Sequence, residues 1–253
     1  MYSTSRLTWV ALFAAALGGV ACGDETAPER NDVDGGMLDG GMLDGGMTGS
    51  PSFMSSCAGD QSSTGTPQQP VGTMIAVGDS ILGWNQEELA SIPDVVGQTL
   101  NVAMDNRAIG GAEVFGSEGI PTFYQGGTAT HVLMNGGGND FARECTSRVL
   151  DQIVSPDLTS GLMVDLIDRV SADGAQAVLI GYYLPRDNNV GCAQFEELMR
   201  RYRRLGQTRD DTMFICTLET ITPSTPQLYA DDVHPNIEGS EAVGRLIAAM
   251  LRP

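Results

Sequence analysis

The sequence predicts an α/β domain whose largely parallel sheet is covered by helices on both faces. From about residue 71 onward, short apolar runs alternate with segments of helical periodicity. Strands that alternate with helices pair in parallel, because each helix returns the chain to the same end of the sheet. Right-handed crossovers bring the carboxyl ends of the strands to one edge, where the sites of such sheets form.

Five apolar runs are the candidate strands. They cover residues 73–77, 100–104, 130–134, 175–184 and 212–216; the pattern is strongest at 175–184 and weakest at 100–104. Apolar residues recur at helical spacing near residues 162–170, 195–205 and 243–250. The second of these segments also carries Arg200, Arg201, Arg203 and Arg204. This cluster suits an anion, but we favour a solvated helix face paired with Glu196 and Glu197.

The charge composition argues against nucleic acid as a partner. The formal net charge is −18, and all 14 basic residues are Arg. A nucleic-acid-binding protein needs a basic surface to neutralise phosphates, and so does a protein attracted to anionic lipid. We interpret the acidity as a contribution to solubility.

Residues 1–22 have the pattern of an export signal. Arg6 precedes an apolar stretch at residues 10–20 that is too short to span a bilayer. Cys22 follows Ala21 and resembles the lipidated cysteine of a bacterial lipoprotein, although Gly19 stands where that motif usually has Leu. We favour a lipoprotein anchored in the cell envelope over soluble secretion after cleavage at Ala21. In both cases the protein is exported.

Residues 23–70 are predicted to be a disordered, acidic, Gly-rich linker. A five-residue unit repeats between residues 34 and 47 and buries too little surface to offset the entropy of ordering. Calcium binding by the regularly spaced Asp is the alternative, but calcium-binding repeats are longer and more acidic. The linker joins the anchor to one domain, residues 71–253, which we expect to be a monomer.

Four cysteines remain besides Cys22, and in an oxidising compartment they favour disulfides. Cys145 and Cys192 both follow strand-like runs, so we predict that they pair at one end of the sheet. Cys57 and Cys216 leave the other pairing open. Cys216 lies in an apolar run and has a free core thiol as its alternative.

Two segments at the predicted carboxyl edge carry candidate catalytic groups. Ser80 follows the first strand and Gly78, a position that presents its hydroxyl at the mouth of a site. Asn139 lies in the Gly-rich segment after the run 130–134, where its amide can donate to a developing oxyanion. An ordinary Gly-rich turn is the alternative for that segment. A P-loop is excluded because the chain has no Lys.

The third candidate is the pair Asp231 and His234. Three residues apart, they can lie side by side, so that the carboxylate accepts from Nδ1–H and leaves Nε2 to take a proton from Ser80. Metal binding is the alternative. The only other histidine, His131, lies in an apolar run, so a zinc site has little support.

Four segments together resemble the conserved blocks of SGNH, or GDSL-like, hydrolases. They are Gly78-Asp-Ser-Ile81, Asn106-Arg-Ala-Ile-Gly-Gly111, Gly137-Gly-Asn-Asp140 and Asp231-Asp-Val-His-Pro235. The first has Ile in place of the usual Leu, and in the second Gly110 and Gly111 can exchange roles. The resemblance runs from about residue 73 to the C-terminus. It implies a flavodoxin-like, three-layer α/β/α sandwich with a mainly parallel five-stranded sheet.

The resemblance also implies a serine esterase with a Ser-His-Asp triad and an acyl-enzyme intermediate. Ser80 would be the nucleophile, His234 the base and Asp231 the group that orients it. The oxyanion hole would comprise the backbone N–H groups of Ser80 and Gly111 and the side-chain amide of Asn139. No cofactor and no metal is expected.

The substrate is open among small-molecule, lipid and carbohydrate esters. The loops 115–128 and 186–192 carry few charged residues, which mildly favours a neutral or apolar acyl group. Trp84 is a candidate for the acyl pocket, with a plain core or rim aromatic as its alternative. Two other functions stay open: a polysaccharide O-acetyl esterase or acetyltransferase, and a surface-anchored binding module without catalysis.

Overall fold

The computed structural model describes residues 64–187 and 191–252. The predicted export signal with Cys22, residues 23–63 of the predicted linker, and Cys57 lie outside this part of the chain.

The described residues contain one sheet of parallel strands, which confirms the predicted fold class. The strands are β1 (Thr73–Val77), β2 (Ala103–Asn106), β3 (His131–Met134), β4 (Gln176–Ile180) and β5 (Thr212–Ile215). Their order is β2-β1-β3-β4-β5, the flavodoxin-like order. The chain reverses its direction across the sheet between β1 and β3. Ligands of such sheets bind beyond the carboxyl ends of the strands at this reversal.

Burial explains why most of these strands have continuous apolar sequences. Strands β3, β4 and β5 are buried along their whole length, and β1 is buried from its second residue. A parallel strand covered on both faces has no solvent side, so apolar residues do not alternate with polar ones. The edge strand β2 alternates between exposed and half-buried residues. Its weak sequence pattern follows from this position.

Seven helices connect and cover the strands in the described part of the chain. They are α1 (Ser80–Gly83), α2 (Ile92–Leu100), α3 (Gly138–Arg143), α4 (Ser147–Ile153), α5 (Leu162–Ala172), α6 (Gln194–Thr208) and α7 (Ile237–Met250). Helix α2 packs against α7, and α4 packs against α5 and α6. Right-handed crossovers place α2 and α5 on opposite faces, because the chain crosses the sheet in opposite directions at these two helices.

Two predicted strands have different bounds in the structure. The run 175–184 leaves the sheet after Ile180, although Tyr182 and Tyr183 remain buried. An apolar run indicates burial, and burial continues where the chain lines a site beyond the strand. The run 100–104 contains the end of α2 at Leu100, and β2 starts only at Ala103.

Helix α2 was not among the predicted helices, although its start has a recognisable signal. Ser91 accepts from the Asp94 N–H, and the Asp94 carboxylate accepts from the Ser91 N–H, which is a capping box. Pro93 in the first turn has the fixed φ that a helix start accommodates.

The predicted solvated face of helix α6 is wrong at one position. Arg201 is 6% exposed, and its guanidinium donates to the Val154 carbonyl at 2.6 Å and to Asp151 at 2.7 Å. Arg200 behaves as predicted, since it is paired with Glu196 and Glu197. A buried guanidinium needs fixed acceptors, and the end of α4 supplies them.

Residues 64–70, which we assigned to the linker from their composition, are hydrogen-bonded to the domain. Thr64 exchanges two backbone hydrogen bonds with Phe214 of β5, at 3.1 and 3.0 Å. Gln176 donates to the Thr66 carbonyl at 2.8 Å. The packed part of the chain therefore includes residue 64 and does not begin at the predicted boundary, residue 71. No described helix is both long and apolar enough to cross a membrane.

Candidate active site

The ends of β1 and β3 are tied together beside the candidate nucleophile. Val77, the last residue of β1, pairs with Met134, the last of β3. Just beyond them, the Asp79 N–H donates to Asn135 Oδ1 at 3.0 Å, and Asn135 Nδ2 donates to Asp79 Oδ1 at 2.8 Å. A Cβ on Gly78 would lie 1.9 Å from Asn135 Oδ1, so this crossing requires glycine.

Asp79 fixes the turn on which Ser80 lies. Its carboxylate caps helix α1 by accepting from the Ile81 N–H at 3.0 Å, and it also accepts from the Tyr182 hydroxyl at 2.5 Å. Burial raises the pKa of Asp79, while the hydrogen bonds from Tyr182, Ile81 and Asn135 oppose that rise. Asp79 is enclosed by these partners, and we assign it a structural role.

Ser80, His234 and Asp231 form one continuous chain of hydrogen bonds. The Ser80 hydroxyl lies 2.9 Å from His234 Nε2, and His234 Nδ1 lies 2.7 Å from Asp231 Oδ2. The structure therefore brings together the three residues that the sequence predicts for the triad. Two of them, Ser80 and His234, are 154 residues apart in the chain. With Nδ1–H donating to the carboxylate, Nε2 is the basic nitrogen that faces the hydroxyl.

The loop that carries His234 is held by hydrogen bonds on several sides. Asp231 Oδ1 accepts from the backbone N–H groups of Val233 and His234, at 2.8 and 2.7 Å. The Tyr183 hydroxyl donates to the Val233 carbonyl at 2.9 Å. Asn85 Nδ2 donates to the Pro235 carbonyl at 3.2 Å. These contacts attach the loop both to the segment after β4 and to the segment after α1.

Asp231 is more acidic than an ordinary aspartate. Partial burial raises its pKa, but the hydrogen bonds from the backbone and ring of His234 and from the Val233 N–H outweigh this effect and lower the pKa below its usual value. The carboxylate therefore stays ionised at neutral pH beside the imidazole.

Asn139 lies in the first turn of α3 and joins this turn to the segment around Gly111. Its Nδ2 donates to the Ala112 carbonyl at 2.8 Å. An amide has two N–H groups, so one remains for another acceptor beside the bond to Ala112. Gly111 has φ +75°, a conformation that favours glycine, whereas Gly110 has no positive φ.

Asp140 holds the next stretch of the same segment. It is buried and accepts from the Val114 N–H at 2.9 Å and from the Phe115 N–H at 3.3 Å. Burial raises its pKa, and these two bonds oppose the rise. Like Asp79, it stabilises a loop beside a candidate catalytic residue.

A cavity of about 240 Å³ opens beside Ser80 and Asn139. Most of its remaining wall is apolar or aromatic: Ile81, Ala142, Tyr182, Pro185, Phe195 and Val233. Gly111 is not among the described residues that line it; Gly111 lines an open groove together with Ile109 and Phe115. The structure thus brings Ser80 and Asn139 to one cavity. Gly111 lines a different groove, and the next residue, Ala112, accepts the hydrogen bond from Asn139.

Solved structures resemble the described chain in fold. A lipolytic protein of the G-D-S-L family from Veillonella parvula is 16% identical, with a TM-score of 0.55 over 72% of this chain and 100% of that one. The psychrotrophic esterase EstA from Pseudoalteromonas sp. is 14% identical, with a TM-score of 0.52 over 72% and 97%. This chain has the fold of the GDSL lipolytic proteins.

Carbohydrate esterases are also among the similar structures. A family two carbohydrate esterase from Clostridium thermocellum, an active-site mutant, is 16% identical, with a TM-score of 0.53 over 74% of this chain and 64% of that one. No family model matches the chain, and no curated protein matches it. At sequence identities this low, the similarity to these structures shows a shared fold and no more.

Trp84 lies against the imidazole and not in the cavity wall. Its ring is stacked on that of His234, with centroids 3.9 Å apart and planes 8° from parallel. Of the places considered from the sequence, the acyl pocket is not supported, because Trp84 is not among the described residues that line the cavity; a rim position agrees with its half-buried state, and the stack on His234 was not predicted. The pairing depends on the fold, since Trp84 and His234 are far apart in the chain and share no motif.

The predicted disulfide between Cys145 and Cys192 is present and joins the chain next to two helices that line the cavity. Cys145 and Cys192 are bonded, with Cα atoms 5.6 Å apart. Cys145 follows α3, which supplies Ala142 to the cavity, and Cys192 precedes Phe195 of α6. Cys216 is also disulfide-bonded, so a free core thiol at this position was the wrong alternative.

The described residues offer no cluster suited to a metal ion. Within them, no group of three or more His, Cys, Asp and Glu side chains is placed to bind one. His131 is 1% exposed at the start of β3, where its Nε2 lies 2.9 Å from the Gln68 carbonyl.

Proposed function

We propose that this protein is a serine hydrolase that cleaves carboxylic esters through an acyl-enzyme intermediate. The observation that carries the proposal is the hydrogen-bonded chain from Ser80 through His234 to Asp231, which ends at a cavity with mainly apolar walls. The fold shared with lipolytic proteins and esterases supports it. In this proposal the resemblance to SGNH hydrolases reflects a shared reaction.

Acylation begins when Ser80 Oγ attacks the ester carbonyl carbon and its proton passes to His234 Nε2. The carbonyl π bond becomes a lone pair on the oxyanion, and the Asp231 carboxylate stabilises the imidazolium. When the tetrahedral intermediate collapses, the C–O bond to the alcohol breaks. His234 returns the proton to the departing alkoxide, leaving an ester on Ser80.

Deacylation repeats these steps with water. His234 takes a proton from water, the hydroxide attacks the acyl carbon, and the proton returns to Ser80 as the acid departs. In both halves the oxyanion would accept from the Ser80 N–H, at the first position of helix α1, and from the Asn139 amide. The Gly111 N–H would be the third donor. Such donors are effective because they are fixed before charge develops.

The cavity favours a short, neutral acyl group. Its volume of about 240 Å³ and its walls of Tyr182, Phe195 and Val233 suit a small apolar chain. A charged acyl group would lose its hydration there without a partner of opposite charge. We therefore expect short-chain esters to be better substrates than long-chain esters.

The decisive experiment replaces Ser80 with alanine. We expect Ser80→Ala to lose turnover of p-nitrophenyl acetate and butyrate and to lose covalent labelling by a fluorophosphonate, with an unchanged circular dichroism spectrum. Ser147→Ala is the matched control, because Ser147 is an exposed serine that also starts a helix. If folded Ser80→Ala keeps most of its activity, the proposed nucleophile is wrong. If wild type is neither active nor labelled, a non-catalytic binding module is the better reading.

A second candidate is the removal of acetyl groups from a carbohydrate. The small cavity suits acetate, and two of the structures with this fold are carbohydrate esterases. Acetate release from acetylated xylan, compared with hydrolysis of aryl esters and lysophospholipid, separates the two functions. Preference for the xylan by a factor of ten or more in kcat/KM would favour the carbohydrate substrate; transfer of acetyl to an added sugar would indicate an acetyltransferase.

We propose that the enzyme is exported and held at a membrane by a lipid on Cys22. The disulfides at Cys145–Cys192 and at Cys216 support an oxidising compartment. Mass spectrometry of the mature N-terminus tests the anchor. A diacylglyceryl-modified Cys22 is expected, whereas an unmodified Cys22 at the N-terminus would indicate soluble secretion.

A further inference from the structure

The imidazole of His234 has an aromatic ring pressed against one face. The indole of Trp84 is 3.9 Å away between centroids and only 8° from parallel. At this separation and angle the two rings are stacked in van der Waals contact, which opposes tilting of the imidazole toward the indole. Its edge is fixed by Asp231 on one side and by Ser80 on the other.

Helix α1 and its C-cap residue provide the proposed nucleophile and this ring. Ser80 and Trp84 are four residues apart, and the Trp84 N–H donates to the Ser80 carbonyl at 2.8 Å. Residues at this spacing lie on the same helix face. The next residue, Asn85, donates to the Pro235 carbonyl and to Ser240, which keeps the His234 loop on this turn.

We propose that Trp84 is a positioning residue for His234, which orients the imidazole toward Ser80 and stabilises the imidazolium that forms during attack. The inference rests on the proposed esterase function. The π face of an indole attracts a cation more strongly than a neutral ring. Because the positive charge exists only once Ser80 has given up its proton, the contact favours the transition state over the resting enzyme.

Other groups act on the same imidazole, and all of them remain when Trp84 is replaced. Asp231 accepts from its Nδ1, and the carboxyl group of Asp79, just before α1, also interacts electrostatically with it. Tyr183, from the segment after β4, bonds to the neighbouring Val233 carbonyl. None of these contacts involves the Trp84 side chain, so a Trp84 variant keeps these partners and changes only the group against the face of the ring.

The test compares Trp84→Leu, Trp84→Phe and Trp84→Tyr with wild type on a p-nitrophenyl ester. We expect Trp84→Leu to lower kcat by about 3- to 30-fold, the range of a cation–π contact, with little change in KM. The acid limb of its pH–rate profile should move to lower pH, because the imidazolium is less stable without the indole. Trp84→Phe and Trp84→Tyr keep a π face and should recover most of both effects.

A second readout does not depend on activity. The chain has only two histidines, so the ring signals of His131 and His234 can be assigned in an NMR titration of the full chain. In a Ser80→Ala background, Trp84→Leu should move the His234 titration to lower pH and leave the His131 signal in place. Leu100→Ala, a partly buried change at the end of α2, is the control for lost stability alone and should move neither.

The outcomes separate this inference from the esterase proposal. If folded Ser80→Ala remains active, Ser80 is not the nucleophile and the proposed serine-hydrolase mechanism fails whatever Trp84 does. If Trp84→Leu keeps the wild-type kcat, pH profile and His234 titration, or changes only KM, the role of Trp84 is wrong. Should Trp84→Leu not fold, Trp84→Met carries the same test with a flexible side chain of greater length.

Discussion

The two histidines of this chain lie at opposite ends of the sheet and have opposite surroundings. His131 starts β3 at its amino end, is 1% exposed, and lies between the Gln68 carbonyl and the Thr130 hydroxyl, at 2.9 and 3.0 Å. His234 lies in a loop at the carboxyl end, half-buried, between a carboxylate and a serine hydroxyl.

The difference shows that the hydrogen-bond partners of a histidine decide whether its ring stabilises the fold or is placed for proton transfer. Burial lowers the pKa of His131, although its bonds to Gln68 and Gln176 oppose this effect, so the ring is neutral and joins the segment 64–70 to the sheet. At His234 the Asp231 carboxylate accepts from Nδ1–H and fixes the orientation of the ring. At one end of the sheet the histidine holds the fold together, and at the other it lies between a carboxylate and a serine hydroxyl, where the proposed function makes it the proton acceptor.

Replacing each histidine by glutamine should separate these roles most strongly. We expect His234→Gln to lower kcat by a factor of roughly 10⁴ or more, since glutamine cannot accept the Ser80 proton. His131→Gln should keep kcat within about twofold, because it is remote from the cavity. Steady-state kinetics on one aryl ester measures kcat of both variants. If folded His131→Gln lost as much kcat as His234→Gln, the proposed difference between the two histidines would be wrong.

Asn139→Ala should have the next largest effect. Loss of one oxyanion donor lowers kcat by about 10²–10³. KM should change little, because the amide acts on charge that develops after binding. Asn101→Ala, at the exposed end of α2, serves as a control that should leave kcat unaltered. A wild-type kcat in Asn139→Ala would exclude Asn139 from the oxyanion hole.

The smallest predicted effect is the contribution of His131 to the pH dependence of the free energy of unfolding. The folded ring takes up a proton less readily than the unfolded ring, whose pKa is about 6.5. The free energy of unfolding is therefore at its full value above this pH and falls as the pH drops below it, until the folded ring is protonated. Urea unfolding at pH 7.5 and 5.5 should show a smaller fall in His131→Gln than in wild type, and an identical fall would contradict this account.

Much of the fold could be predicted because a buried segment has a recognisable pattern of apolar residues in the local sequence. Strand β1 was predicted with the bounds that the structure gives, since a strand covered on both faces is a continuous apolar run. The same pattern misled at residues 181–184, where the chain is buried beside the cavity but has left the sheet. Periodicity reports burial and does not distinguish a buried strand from a buried loop.

In the candidate site, contacts within a short motif could be predicted from the sequence, whereas contacts between distant segments could not. Asp231 and His234 are three residues apart, so their contact could be predicted from one short motif. The stack of Trp84 on His234 joins two segments far apart in the chain, and no local pattern encodes it. Arg201 belongs to the same class: its helix predicts a solvated face, and only the neighbouring α4 provides the carbonyl that lets it be buried.

The pair of hydrogen bonds between Thr64 and Phe214 bears on solubility. Strand β5 is the outermost on its side, and an outer strand with open N–H and C=O groups is a template for pairing with another molecule. Thr64 forms backbone hydrogen bonds with both the N–H and the C=O group of Phe214 in this strand. A protein produced from residue 71 onward would lack this cover, and we expect it to self-associate through β5 at concentrations where the longer chain stays dispersed.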